Sequence, residues 1–387
     1  MRRKADEAFA LAGDDALSGW RVSLDALPAC ADFVVSVIRR RYPDLAPPFH
    51  ARWRHFVFAG RDLWTERSAQ AQFTNTHEQA RAAFDLAITS VLLDAGAGPA
   101  WRYRDSASRI IAARSEGLAL ASLRLFESGG FSEYADAPLR ADAAPLMHFA
   151  ASNLADAFQV GPDNPLAGLE GRARLLNRLG AQVRAREDLF ARADRPRPGG
   201  LYDTLLARAE GGTLPAPKIL DLLLEALGPI WEHRPVLDGV SLGDCWRHPE
   251  LGFTPLHKLS QWLAYSLVEP LQNAGVRVTE IDGLTGLAEY RNGGLFIDSG
   301  VLLPRDRAAL ARTYDVSDPF VVGWRTLTVA LLDRLAPLVR ARLGLSAENF
   351  PLSRVLEGGT WAAGRETAQA ARNGAPPFSI ISDGTVF

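Results

Sequence analysis

The chain has 387 residues, 47% of them hydrophobic, which is enough to bury a large core. Its formal net charge of −2 excludes the basic field of a dedicated nucleic-acid binder, although a small basic pocket for one phosphate stays compatible with it. The only cysteines, Cys30 and Cys245, exclude a disulfide framework.

The N-terminal stretch MRRKADEAFALAGDD is basic and then acidic, without the continuous apolar segment of a signal peptide. No run approaches the roughly 18 apolar residues of a membrane span. The expectation is a soluble, cytoplasmic protein with no membrane partner. In chain order, CADFVVSVIRRRY (30–42) spaces its apolar residues as a helix does. HFVFAGRDLWTER (55–67) surrounds Arg61 and Asp62 with aromatics, fitting either a base-stacking wall or a buried ion pair. EQARAAFDLAITSVLLDAG (78–96) and LEGRARLLNRLGAQV (169–183) read as helices, and ADRPRPGG (193–200) as a loop. PKILDLLLEALGPIW (217–231) carries Pro217 near a helix start and Gly228-Pro229 as a stop.

DGVSLGDCWRHPELGFTPLH (238–257) contains Cys245, Trp246, His248 and His257. Cys-x-x-His is half a zinc site, and no second pair follows at suitable spacing. Trp246 and His248 read as pocket lining or core. HKLSQWLAYSLVEPLQ (257–272) predicts a helix with a leucine stripe at Leu259, Leu263 and Leu267. Lys258, Gln261, Trp262 and Tyr265 share another face. That face is either solvated or the lining of a polar pocket.

GVRVTEID (275–282), ending in the candidate pocket residue Asp282, and GGLFIDSGVLL (293–303) are the best strand candidates. Between them, LTGLAEYRNGGLF crowds Glu289, Tyr290, Arg291 and Asn292 together. In an extended segment Glu289 and Arg291 point the same way, and in a helix they diverge. PFVVGWRTLTVALLDRLAPLVRARLG (319–344) predicts one long helix, or two divided at Pro337. NGAPPFSIISDGTVF reads as an extended tail that packs over the body or docks on another subunit, so a homo-oligomer stays open. The glycine turns ESGGFSEY and EGGTLP lack a phosphate-loop pattern, and there is no Gly-x-Ser-x-Gly elbow or Rossmann fingerprint. The fold class expected is mainly α with few short strands, as a single unit over 1–387, with two lobes around a cleft as a variant.

The motifs LGDCWRHP, HKLSQWLAYSLVEPL and LTGLAEYRNGGLFIDSGVL, within nearly full-length similarity, resemble the bacterial and fungal family of uracil-catabolism protein four. Membership implies a role after uracil becomes a nucleotide, where a ribosylurea-type intermediate is dismantled. A more distant resemblance, over roughly 55–305, links the chain to the queuosine-salvage N-glycosylases. Their Lys-x-x-Gln block is similar to Lys258–Gln261, and their Leu-Thr-x-x-Ala-Asp-Tyr-Arg block to LTGLAEYR. That leaves 306–387 as a C-terminal helical extension and tail.

The second resemblance implies a large helical domain like that of helix-hairpin-helix DNA glycosylases. It places Glu289 on that family's catalytic aspartate and Lys258 on its helix lysine, with Tyr290 and Arg291 matching directly. Glu289 is one methylene longer than Asp, and Asn292-Gly293-Gly294 replaces Val/Ile-Pro-Gln. The implied activity is an N-ribosyl hydrolase that needs no metal or other cofactor and acts on a small ribosylated, 5′-phosphorylated urea or pyrimidine-derived compound. Glu289 stabilises positive charge at the anomeric carbon or activates water, and Lys258 assists. Arg291 is the phosphate or ribose ligand. Tyr290, Gln261, Trp262, Asp282, Trp246, Arg61 and Asp62 complete the expected pocket. The alternatives are an amidohydrolase acting on the urea part and a non-catalytic partner that binds the intermediate or another enzyme of the pathway.

Overall fold

A computed structural model describes residues 1–191 and 195–381. Two residues of the expected ADRPRPGG loop and the last six of the C-terminal stretch lie outside the described residues.

The fold is mainly α. Helix α1 (Arg2–Gly13) lies along the much later α14 (Pro319–Leu343), and α2 (Leu27–Arg41) follows with Pro28 in its first turn. Cys30, Ala31, Val34, Val35 and Ile38 form its buried stripe at the spacing the sequence shows. Asp62 caps α3 (Leu63–Gln70) and Asn75 caps α4 (Thr76–Leu92), each accepting a first-turn amide. Most of the circumference of α4 is buried, which makes it the central rod against which α5 (Arg114–Glu127) and α12 (Lys258–Asn273) pack.

Between α5 and α12 lie α6 (Ala143–Met147), α7 (Ala151–Ala157), α8 (Leu169–Ala185), α9 (Glu187–Phe190), α10 (Gly200–Arg208) and α11 (Ala216–Leu227). Next come α13 (Tyr290–Asp298), α14, α15 (Leu352–Val355) and α16 (Trp361–Arg372). A π-helical turn over Leu356–Thr360 joins the last two. Pro337 does not divide α14; the helix runs on to Gly344, whose φ of 70° supplies the left-handed stop.

Among the described residues every sheet has two strands. Three of these pairs tie distant parts of the chain. Trp20–Val22 pairs antiparallel with Leu302–Pro304, Thr213–Pro215 parallel with Arg277–Thr279, and Thr313–Tyr314 parallel with Ser379–Ile380. The strand expected at GVRVTEID is present at Arg277–Thr279. The strand expected at GGLFIDSGVLL is not: Gly293–Asp298 belongs to α13, and only Leu302–Pro304 is extended. The C-terminal stretch packs on the body as far as it is described. Phe378 stacks edge-on against Trp324 and Phe320, with Trp20 beside them. One apolar cluster draws residues from Ala8 to Phe378. Among the described residues no helix is long and apolar enough to cross a membrane.

Candidate functional site

Two helix starts define the site, and neighbouring segments position both. Ahead of α12, His257 takes φ 47°, a left-handed conformation that is rare outside glycine, and offers no side-chain cap. The cap comes from Asp244 in the LGDCW motif. Its Oδ2 accepts from Lys258 N at 3.0 Å, and its backbone carbonyl accepts from Leu256 N and His257 N. Arg325 of α14 donates to both Asp244 oxygens at 2.7 Å, and Trp246 Nε1 adds a third side-chain bond. Burial alone would raise this carboxyl, but Arg325 and the converging donors hold it well below the usual carboxylate range.

The start of α13 is capped by Glu289. Its Oε2 accepts from Arg291 N and its Oε1 from Asn292 N, both at 2.7 Å. Because the segment is helical, Arg291 diverges from Glu289. Its guanidinium lies 4.8 Å from the Tyr290 ring centroid and donates to Gly374 O at 3.1 Å. Asn292 is sealed in, donating to Leu287 O and accepting from Thr360 Oγ1 of the π turn. A Cβ on Gly293 would meet the Trp324 indole at 2.5 Å, and one on Gly364 would meet Arg291 O at 2.1 Å. The Asn-Gly-Gly run therefore meets a packing demand where α13 is wedged between α14 and α16.

Lys258 lies over the Trp262 ring and is coupled electrostatically to Glu289, as is Tyr290. Burial lowers the Lys258 pKa below its ordinary 10.5, and the carboxylates of Asp94 and Glu289 oppose that shift. The lysine Nζ lies 5.6 Å from the Trp262 ring centroid. Burial raises the Tyr290 hydroxyl; Arg291 counteracts this, while Glu289 and Asp94 add to it. The face of α12 carrying Gln261, Trp262 and Tyr265 is buried, not solvated.

Sequence reasoning missed the other half of this pocket. Asp94 sits just beyond α4, where Arg172 of α8 donates to the carbonyls of Leu93, Ala95 and Gly96 and fixes the turn. Both Asp94 oxygens accept from Ser115 Oγ, and Oδ1 also accepts from Arg52 Nη1 at 2.8 Å. Arg52 is fully buried and its guanidinium stacks 5.5 Å from the Trp262 ring centroid. His55 packs edge-on to Trp262 at 5.5 Å and faces Trp361 at 5.8 Å. Burial and the Arg52 charge push His55 well below 6.5, so it is neutral at pH 7. His50 also lies against Trp361, with Nδ1 2.7 Å from Glu357 Oε2. Among the described residues Trp262 Nε1 is buried without a hydrogen-bond partner. Lys258, Glu289, Tyr290 and Asp94 are thus coupled electrostatically beside an aromatic cluster of Trp262, Trp361, His50 and His55.

The remaining expected residues have other employment. Gln261 Oε1 accepts from Thr285 N, and Tyr265 donates to Thr285 O, so both hold the LTGLAEYR loop. Asp282 ion-pairs with Arg340 at 2.5 Å and accepts from Leu352 N. Trp246 serves Asp244 and carries the Arg234 guanidinium over its ring. Arg61 and Asp62 form neither a stacking wall nor a buried ion pair with each other: Arg61 pairs with Glu66 on the surface, and Asp62 caps α3. Cys245 and His248 share one short strand. Among the described residues no group of three His, Cys, Asp or Glu is placed to hold a metal ion.

The family model described as "Protein of unknown function (DUF1688)" matches residues 1–387, and the chain belongs to that family. Two relatives are similar along their length. The protein named "Protein urg3" of Schizosaccharomyces pombe is 38% identical over 402 residues, covering 100% of this chain and 96% of that protein. The protein named "Uracil catabolism protein 4" of Lachancea kluyveri is 36% identical over 411 residues, covering 95% and 92%.

Proposed function

We propose that the protein acts in uracil catabolism as an N-ribosyl hydrolase on a small ribosylated, 5′-phosphorylated urea or pyrimidine-derived compound. The relatives' names support the pathway. The observation that carries the chemistry is the electrostatic coupling of buried Lys258, held over the Trp262 ring, to Glu289. Water adds to the anomeric carbon as the C–N bond breaks. Glu289 faces the positive charge that develops there and takes the water proton. The Lys258 ammonium, made more acidic by burial, delivers a proton to the departing nitrogen. Glu289 binds two amides of α13, which fixes its oxygens before substrate arrives.

The test is incubation of the purified protein with ribosylurea and with its 5′-phosphate, followed by mass spectrometry. Free urea with ribose or ribose 5-phosphate is the expected outcome. Breakdown of the urea with the glycosidic bond intact would establish an amidohydrolase instead, and unchanged substrates a binding protein.

A further inference from the structure

Beside the Lys258–Glu289 cluster is an open cleft of about 460 Å³, lined chiefly by Arg114, Arg291, Arg365, Glu366, Gln369 and Gly374. We infer that this cleft is the anion site of the protein and holds the phosphate of a sugar phosphate monoester. The inference builds on the reading of a phosphorylated ribosyl substrate and adds Arg114 to Arg291 as its binding residue.

Charge is the first argument. Glu366 is occupied by Arg40, with 2.7 Å between charged atoms, and Arg365 is neutralised by Glu116 at 2.5 Å. Among the described residues, neither Arg114 nor Arg291 has a carboxylate partner within ion-pair distance; the Arg291 side chain donates only to the carbonyl of Gly374. Both guanidiniums border the same glycine: a Cβ on Gly374 would come within 3.5 Å of Arg114 Nη2. Two uncompensated guanidiniums match a phosphate monoester, which carries about −1.5 to −2 at neutral pH, better than they match one carboxylate.

Helix geometry is the second. Arg114 is the first residue of α5, and the N-cap, Ala113, has no side chain able to satisfy the free amides of that turn. The start of the helix thus brings the Arg114 side chain to the cleft wall.

Connection to the pocket is the third. Tyr290 is stacked by Arg291 on the cleft side and couples electrostatically to Arg114, Glu289 and Asp94. On the other flank Arg365 lies 4.8 Å from the Trp361 ring centroid, and Trp361 backs His50 and His55. Tyr290 and Trp361 are thus each contacted by an arginine of the cleft. With its phosphate among the arginines, the ligand directs its sugar past Tyr290 toward Glu289.

Calorimetric titration of the full chain with ribose 5-phosphate, ribose and inorganic phosphate tests this. Ribose 5-phosphate should bind at least tenfold tighter than ribose, and inorganic phosphate should compete with it. Arg114→Gln should weaken ribose 5-phosphate about tenfold or more and leave ribose unchanged. Arg114→Lys, which keeps charge but loses the planar fork, should fall between. Because Arg114 is exposed, its variants should melt with the wild type. Equal affinity for ribose and ribose 5-phosphate, or arginine variants that bind as the wild type does, would overturn the inference. The hydrolase reading fails separately: arginine-dependent binding without any hydrolysis would sink that reading and leave the anion site standing.

Discussion

At the residue scale, Glu289 carries two loads, as the cap of α13 and as the proposed catalytic carboxylate. Glu289→Gln keeps the shape and one good acceptor but loses the charge. Turnover should fall by roughly two to four orders of magnitude with KM changed far less. Stability should drop as for a weakened cap, by about 1 kcal/mol, read from thermal unfolding. Retained turnover would remove Glu289 from the chemistry. Glu289→Asp should be impaired but active.

Lys258 predicts a pH dependence. Its pKa lies below the ordinary 10.5, so the ammonium is lost as pH rises through that lowered value. kcat/KM should therefore decline on the alkaline side below pH 10.5, and Lys258→Arg should abolish that limb. A limb at or above the ordinary value would show that Lys258 does not supply the proton. Asp94→Asn leaves the buried Arg52 guanidinium without its countercharge and should cost about 3–5 kcal/mol in urea denaturation. Pairing it with Arg52→Met should recover much of the loss; if it does not, the ion pair is not the cause.

Lys258 and Glu289 were legible because each stands in a long local motif. Asp94 and Arg52 were not. Asp94 sits in LLDAG, which reads as an ordinary helix end. Arg52 lies in a short basic-aromatic run that gives no sign of full burial. Their meaning arises only when the ends of α4 and α5 converge with α12.

At the scale of elements, the helices with strong apolar spacing, α2, α4, α8, α11, α12 and α14, are where the pattern places them. The failure at GGLFID has a specific cause. The segment reads as a strand candidate, and its paired glycines disfavour helix by roughly 1 kcal/mol each. Here Gly293 lets the Trp324 indole approach, and the Glu289 cap starts the helix one turn earlier. Tertiary packing outweighs propensity. The same logic makes the crossing of α13 and α16 fragile. Gly364→Ala would set a methyl 2.1 Å from Arg291 O, a backbone atom that cannot turn aside. Overpacking of this kind should cost about 1–3 kcal/mol. Because the shift passes into the first turn of α13, turnover should fall together with the melting temperature. A variant as stable and active as the wild type would show that α16 can slide without disturbing Glu289.

For the whole molecule, the site draws on residues from His50 to Trp361, and the segments around it are bound at both ends of the chain. Arg2 ion-pairs with Asp333, Arg40 with Glu366, and Trp20 Nε1 donates to Phe320 O. One apolar cluster links all these parts, so equilibrium unfolding should be a single transition seen alike by tryptophan fluorescence and circular dichroism. Two separated transitions would instead reveal independent lobes. The pairing of the early strand Trp20–Val22 with Leu302–Pro304 has a further consequence, and it concerns time. During synthesis, the strand Trp20–Val22 must wait until about 280 further residues have emerged before its partner exists. Contacts so distant in sequence raise the entropic cost of chain closure, and folding slows accordingly. Refolding after dilution from urea should be slow, and catalytic competence should return only with the last kinetic phase. Nascent chains arrested before α16 should expose the aromatic floor of the pocket and bind a hydrophobic dye that the released protein excludes.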